Sequence, residues 1–270
     1  LSLEMGVPLY IARDMFDNYD LHQGFELERV FGIQNKVADK AALRRLIGWR
    51  ASPTARRMLA KFPALDLLCG RHFVAERPGT TIKHFAKTSG DAYLHGYWQS
   101  ERFFGRYQCR IRSAFSFATS PDPFNSALLS NIAAHRSASV HIRRGDYLTS
   151  TNAAIYSQCS PEYYISSMAL LEERVGSLKF FVFSDDPVWA TEFFADKGYD
   201  CQVISHNKGA LSFNDMRLMS ACDHHIIANS SFSWWGAWLN PKSDKIVIAP
   251  REWMAGTPSL HIVPNSWLQR

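Results

Sequence analysis

The sequence predicts an α/β protein whose larger part is a doubly wound parallel sheet. Two observations carry that expectation: from residue 138 onward strand patterns alternate with helix patterns of ordinary length, and three of those strands end in polar clusters. A third sets the organisation. With 270 residues, 46% of them hydrophobic, the chain has core for two domains, and the turn-rich "ATSPDP" from Ala118 is the best linker candidate. The expected division is 1–125 and 126–270.

The elements follow in order. "LSLEMGVPLYIA" reads as the last turns of a helix over 1–5, a C-cap at Gly6 and a strand over 8–12, so the chain is expected to open inside an element. Between Asp39 and Phe62 the pattern is helical, broken at Ser52 and Pro53; an aromatic-rich strand follows from Asp91. Helix is expected from Ser100, and again from Pro121 to about His135. Then come strand 138–143, helix 161–175, strand 178–184, helix 187–197, strand 201–205, helix 213–221, strand 225–228, helix 231–239 and strand 245–249.

Composition narrows the partners. The net charge of +5 and pI of about 9.0 suit an anionic ligand such as a nucleotide. Arg44, Arg45, Arg56, Arg57, Arg102, Arg106, Arg110 and Arg112 are scattered without interleaved aromatics, so a solvated basic face is favoured over a nucleic-acid platform. Cys69, Cys109, Cys159, Cys201 and Cys222 form no CxxC pair and no metal spacing with histidine, which points to a reducing compartment without a disulfide framework or zinc. No stretch approaches the roughly 18 apolar residues of a membrane span, and no signal peptide opens the chain.

Ligands of a doubly wound sheet bind beyond the carboxyl ends of its strands, so the three polar clusters are expected on one edge. In "HIRRGDY", Val140 and Ile142 share one face of the strand while His141 and Arg143 share the other. Arginine's planar fork suits a diphosphate, making Arg143 and Arg144 the candidate cations, and Gly145 permits a tight turn that presents Asp146. A structural salt bridge between Arg144 and Asp146 is the alternative. In "FSDD", Asp186 reads as an N-cap ahead of Pro187, leaving Asp185 the freer carboxylate for a ribose or a guanine edge. In "NSSFSWWGAWL", Asn229, Ser230 and Ser231 open a helix whose unpaired N–H groups make a phosphate site. Trp234, Trp235 and Trp238 read as core, Gly236 as a point of close approach to the sheet, and the pair His224 and His225 as structural.

Taken together, "LSLEMGVPLYI", "GYWQSERFF", "SVHIRRGDY", "CSPEYY", "FFVFSDDP", "DMRLMSACDHHIIANSSFSWWGAWLN" and "DKIVIAPREW" resemble the alpha-1,2-fucosyltransferases. The resemblance spans nearly the whole chain. It implies a GT-B architecture of two Rossmann-like domains, a GDP-L-fucose donor, and inverting transfer to the 2-hydroxyl of a terminal galactose with no metal or other cofactor. On the matching positions, Arg143 holds the diphosphate and stabilises the GDP leaving group. His141, Arg144, Asp185 and the turn Asn229, Ser230, Ser231 line the nucleotide, and Asp146 is the candidate general base. Members normally begin with a glycine-rich strand-to-helix turn of the form GGLGNQ, which lies upstream of Leu1, so the first domain is expected to be incomplete and transfer to suffer. On the acceptor side only "HGYWQSERFF" is suggestive, with core as the alternative role for Tyr97 and Trp98. The resemblance further implies a cytoplasmic enzyme working at the inner membrane face as a peripheral protein, without nucleic acid. Another GDP-sugar transferase with a different acceptor, or a non-catalytic nucleotide- or glycan-binding protein, are the competing functions.

Overall fold

The computed structural model describes residues 2–16, 23–68, 70, 72–77, 90–145, 158–258 and 261–270. The chain divides into two compact units, Leu1–Ala114 and Phe115–Arg270. The division falls ahead of the 125/126 boundary expected from the sequence because the intervening stretch packs on the second unit. Phe115 lies against Trp235, Phe117 stacks on Phe213, and Arg217 donates to the Thr119 carbonyl at 2.6 Å. No helix among the described residues is long and apolar enough to cross a membrane.

In the first unit, α1 (Ser2–Met5) stops at Gly6, whose φ of +65° is the left-handed cap conformation glycine adopts without a Cβ clash. Strand β1 (Tyr10–Ile11) pairs in parallel with β2 (Lys36–Val37) around α2 (Leu27–Phe31). Helix α3 (Lys40–Ile47) is capped by Asp39, which accepts from Ala42 N at 2.6 Å, and α4 (Pro53–Lys61) begins with proline at its first turn, after a short 3₁₀ segment. Strand β3 (Phe73–Ala75) pairs in parallel with β4 (Tyr93–His95). The helix expected from Ser100 opens as two 3₁₀ turns, and regular α5 is confined to Gln108–Ala114.

The core of this unit is Ile47, Leu59 and Phe73, and a charge is buried beside it. Arg56 is wholly inaccessible; it pairs with Asp14 and donates to the Tyr93 hydroxyl at 2.8 Å. Burial alone lowers its pKa, but Asp14 and Tyr93 outweigh it and hold the guanidinium charged. Removing Asp14 strands a buried cation, a loss of about 3–5 kcal/mol.

The second unit holds α6 (Pro123–Ala133), β5 (Ser137–Ile142), α7 (Pro161–Val175), β6 (Lys179–Ser184), α8 (Pro187–Phe194) and β7 (Asp200–Ile204). It continues with α9 (Phe213–Ala221), β8 (His224–Ile226), α10 (Ser231–Leu239), β9 (Val247–Ala249), β10 (Glu252–Met254), β11 (Thr257–Pro258) and β12 (Leu268–Gln269). Six strands form one wholly parallel sheet in the order β12-β9-β8-β5-β6-β7, while β10 and β11 make a separate antiparallel pair.

Helices cover both faces. Val140, Ile142, Phe180, Val182, Ile226 and Ile248 bury one face against Met168 and Leu171 of α7 and Ala190 of α8. Phe181, Phe183 and Ile204 bury the other against Leu128 and Ile132 of α6 and Leu218 and Met219 of α9. The chain runs from β5 outward through β6 and β7, then returns to β8 on the other side. The order therefore reverses between β5 and β8, which is where a doubly wound sheet opens its crevice. The expected doubly wound α/β class is the class observed.

Candidate active site

Strands β5 and β6 run in register with Ile142 opposite Ser184, so the residues that leave them, Arg143 to Gly145 and Asp185 to Asp186, emerge side by side. Asp185 binds the first turn with both oxygens: Oδ1 accepts from Arg144 N at 2.9 Å and Oδ2 from Gly145 N at 3.0 Å. The Arg143 Nε lies 3.3 Å from the same Oδ2. A Cβ on Gly145 would stand 3.1 Å from Asp185 Oδ2, so glycine here permits close approach of backbone to carboxylate. The sequence-based view of Asp185 as the freer carboxylate is corrected: it clamps the arginine turn.

Asp186 caps α8 as expected, accepting from Trp189 N at 3.2 Å. Its Oδ2 is also 3.5 Å from Arg144 Nε, and the Arg144 guanidinium lies 3.9 Å from the centre of the Trp189 ring. Among the described residues, then, Arg144 is braced by Asp186 and Trp189; Asp146, its expected partner and the candidate general base, lies outside them. Arg143 keeps 28% of its side chain accessible at the edge.

His141 points to the opposite face from Val140 and Ile142, is only 6% exposed, and packs its ring 6.0 Å from that of Phe232 on α10. Its Nδ1 is buried without a hydrogen-bond partner. Burial, reinforced by the Arg143 charge, pushes its pKa down to about 3, so the ring is neutral at any ordinary pH. Phe232 belongs to the first turn of α10, whose leading N–H groups have no preceding turn to bond. Ser230 occupies the N-cap position, yet its side chain makes no capping bond. Asn229 is buried and donates to Trp253 O at 3.0 Å, tying the turn to β10. The expected strand-end residues are thus brought together at the reversal between β5 and β8, with Asn229 as a brace and Ser230 and Ser231 at the opening of the helix.

Trp234 and Trp238 are buried and stacked at 6.1 Å, as their core role requires. Gly236 approaches a helix rather than the sheet, since a Cβ there would meet Met219 Cβ of α9 at 3.0 Å. The histidine pair serves the fold. His225 is buried between Ser139 Oγ and Asn240 Nδ2, each at 2.8 Å from a ring nitrogen, and His224 Nδ1 accepts from Ile246 N at 3.1 Å.

A further polar cluster was missed by sequence reasoning. Beyond β7, Asn207 Nδ2 donates to Asn125 Oδ1 at 3.0 Å and to Asp215 Oδ1 at 2.8 Å, and Asn125 Nδ2 returns a bond to Asn207 Oδ1 at 3.0 Å. His206 Nε2 lies 3.1 Å from Asn125 Oδ1. Burial pushes the Asp215 carboxyl up to about 7 in spite of the bond from Asn207. The usable signal was the one that exposed the other clusters, polar residues after a strand ("SHN") and in the first turn of the next helix ("ND").

Comparison with known proteins fixes the family. The chain is 35% identical to the alpha-1,2-colitosyltransferase of Escherichia coli over 276 aligned positions, covering 99% of this chain and 90% of that protein. It is 43% identical to the O-antigen biosynthesis glycosyltransferase WbnK of Escherichia coli over 131 positions, 48% of this chain and 43% of the relative. Among solved structures, E. coli heptosyltransferase WaaC with ADP-2-deoxy-2-fluoro heptose aligns over the whole chain and 85% of its own length, at 12% identity and a TM-score of 0.41. E. coli ADP-heptose lps heptosyltransferase II aligns over 56% of this chain and 44% of its own, at 11% identity and a TM-score of 0.35. Since the family model for glycosyl transferase family 11 matches residues 51–260, the chain belongs to that family and is a glycosyltransferase.

Proposed function

We propose that the chain transfers L-fucose from GDP-fucose to the 2-hydroxyl of a terminal galactose, with inversion at the anomeric carbon. The observation that carries this reading is the arginine turn. Asp185 fixes the backbone of Arg144 and Gly145, the Arg143 side chain remains accessible near the buried His141, and the His141 ring packs against Phe232 in the first turn of α10. A leaving nucleoside diphosphate gathers negative charge as the glycosidic bond breaks, and a preorganised guanidinium with helix N–H groups answers that charge without a metal. His141 stays neutral, so its unmet Nδ1 serves as a hydrogen-bonding group toward the nucleotide and adds no charge. Asp146 is the proposed base that takes the acceptor's 2-hydroxyl proton.

Because Asp185 is spent on the turn, we assign the guanine edge to Asp215. Its carboxyl is held by an amide side chain rather than by backbone N–H groups, and an ionised carboxylate matches the paired N–H donors of guanine.

A second donor is favoured by the 35% identity to a colitosyltransferase across nearly the whole chain. Colitose lacks the 3-hydroxyl of fucose, and a site built to bond that hydroxyl rejects the sugar without it. The test is to incubate the enzyme with GDP-fucose or GDP-colitose and a panel of galactosides, follow GDP release, and read the product linkage by NMR. GDP-fucose consumption with a 1,2-linked product supports the first reading. Turnover of GDP-colitose alone selects the second, and a different linkage overturns both.

A further inference from the structure

Between Asp39 and Asp66 the chain carries seven Lys and Arg residues and no Asp or Glu. The remaining 23 Lys and Arg face all 25 Asp and Glu, so the rest of the chain is slightly acidic and the whole excess of +5 is placed in this stretch. It holds α3, the 3₁₀ turn Gly48–Ala51 and α4. Two of its cations serve the fold: Arg56 is the buried partner of Asp14, and Arg50 donates to the Leu68 carbonyl. The other five, Lys40, Arg44, Arg45, Arg57 and Lys61, are exposed, and none of them pairs with a carboxylate among the described residues. Lys40 and Arg44, like Arg57 and Lys61, stand one helical turn apart, where like charges destabilise a helix. A face kept only for solubility would mix both signs of charge.

Exposed apolar side chains lie among these cations. Helix α4 buries Ala55, Arg56 and Leu59, so by the helical period Arg57, Met58 and Lys61 share the opposite face, and Phe62 follows at its C-cap. Lys61 Nζ lies 5.7 Å from the centre of the Phe62 ring. In the 3₁₀ turn, the Arg50 guanidinium lies 5.5 Å from the centre of the Trp49 ring. Trp49, Met58 and Phe62 are 54%, 43% and 50% exposed, large apolar groups left in water by the unit that carries them.

A polyanion such as a nucleic-acid backbone would use the cations and leave Met58 and Phe62 idle. A bilayer with anionic headgroups uses both: the cations meet the phosphates, while tryptophan, phenylalanine and methionine enter the boundary between headgroups and acyl chains. We propose that the α3–α4 segment is a docking surface for anionic lipid, with Arg57 and Lys61 as its charged contacts and Trp49, Met58 and Phe62 as its apolar ones. The proposal does not depend on which sugar the enzyme transfers.

The test is cosedimentation of the whole chain with vesicles of phosphatidylcholine alone or with about 30% phosphatidylglycerol, at about 0.1 M and about 0.5 M NaCl. Binding is expected on the anionic vesicles only and to weaken at the higher salt. Each exposed cation removed should weaken it about fivefold, so Arg57→Gln with Lys61→Gln lowers the partition coefficient about 25-fold. Arg174→Gln with Lys197→Gln, the same loss of charge in the second unit, changes it less than threefold. Trp49→Ser with Phe62→Ser lowers vesicle binding about tenfold and leaves binding to single-stranded DNA as it was. If that pair melts below wild type, Met58→Gln on the same face of α4 supplies the reading instead. No binding to anionic vesicles, equal losses in the two cation pairs, or vesicle binding indifferent to the apolar substitutions overturns the proposal; the last outcome with tight DNA binding marks a polyanion site.

Discussion

The carboxyl edge of the sheet handles charge in two opposite ways. Beside β5 and β6 a carboxylate is matched by a guanidinium and two backbone N–H groups, and a second arginine is sandwiched between Asp186 and an indole ring. Beyond β7 the Asp215 carboxyl accepts from the Asn207 amide, which is itself bonded to Asn125, and burial drives it toward the neutral acid. A nucleoside diphosphate has the same division, strongly charged at one end and a neutral, hydrogen-bonding base at the other. In the function proposed above, the arginine turn meets the diphosphate and the Asp215 carboxyl, once ionised, meets the base.

Substitutions at each cluster break the comparison in graded ways. Arg143→Ala has the largest expected effect: kcat falls by about 10²–10³-fold, the scale of one well-placed electrostatic group, while circular dichroism and the melting temperature stay near wild type because the side chain lies at the edge. Turnover retained above about a tenth of wild type removes Arg143 from the mechanism.

Asp185→Asn comes next. An amide can accept only one of the two N–H bonds and turns a donor toward the other, so the turn loosens and the guanidinium loses its partner. A fall in kcat of about tenfold with a loss of about 1–3 kcal/mol in urea unfolding is expected. Unchanged stability together with lost turnover assigns Asp185 to the ligand instead of the turn.

Asp215→Asn sharpens the neutral end and has the smallest effect. With its carboxyl titrating at about 7, the wild type presents a carboxylate above that pH and an acid below it, so the donor KM rises as pH falls from 8 to 6; the variant's KM is high and flat. Stability carries the opposite sign. A folded pKa raised above the unfolded value contributes stability at low pH that is lost as pH rises through 7, so the variant is expected to melt above wild type at pH 8 and level with it near pH 4. A donor KM with the same pH profile in both proteins removes Asp215 from the base site.

Much of this was legible in the chain before its fold was known. Helices α7, α9 and α10 begin and end where their patterns do, helped by Ser160 and Pro161 at the start of α7 and by the polar opening of α10. Strands β10, β11 and β12 were not anticipated, because two or three residues carry no periodicity. The arginine motif was readable as a local pattern. The role of Asp185 was not: it depends on which residue of β6 lies opposite Ile142, which pairing alone decides. The Asn125–Asn207–Asp215 network was hidden for the same reason, since Asn125 lies on α6, two helices and three strands before Asn207.

The clamp between Asp185 and the arginine turn also ties folding fidelity to chemistry. A slip of one residue between β5 and β6 would exchange the two faces of the strand and carry Asp185 away from Arg144 and Gly145. No partly correct alignment of these strands leaves the turn in place. If the arginine turn acts as proposed, a misaligned chain loses turnover altogether instead of losing selectivity, and strand register becomes a condition of activity.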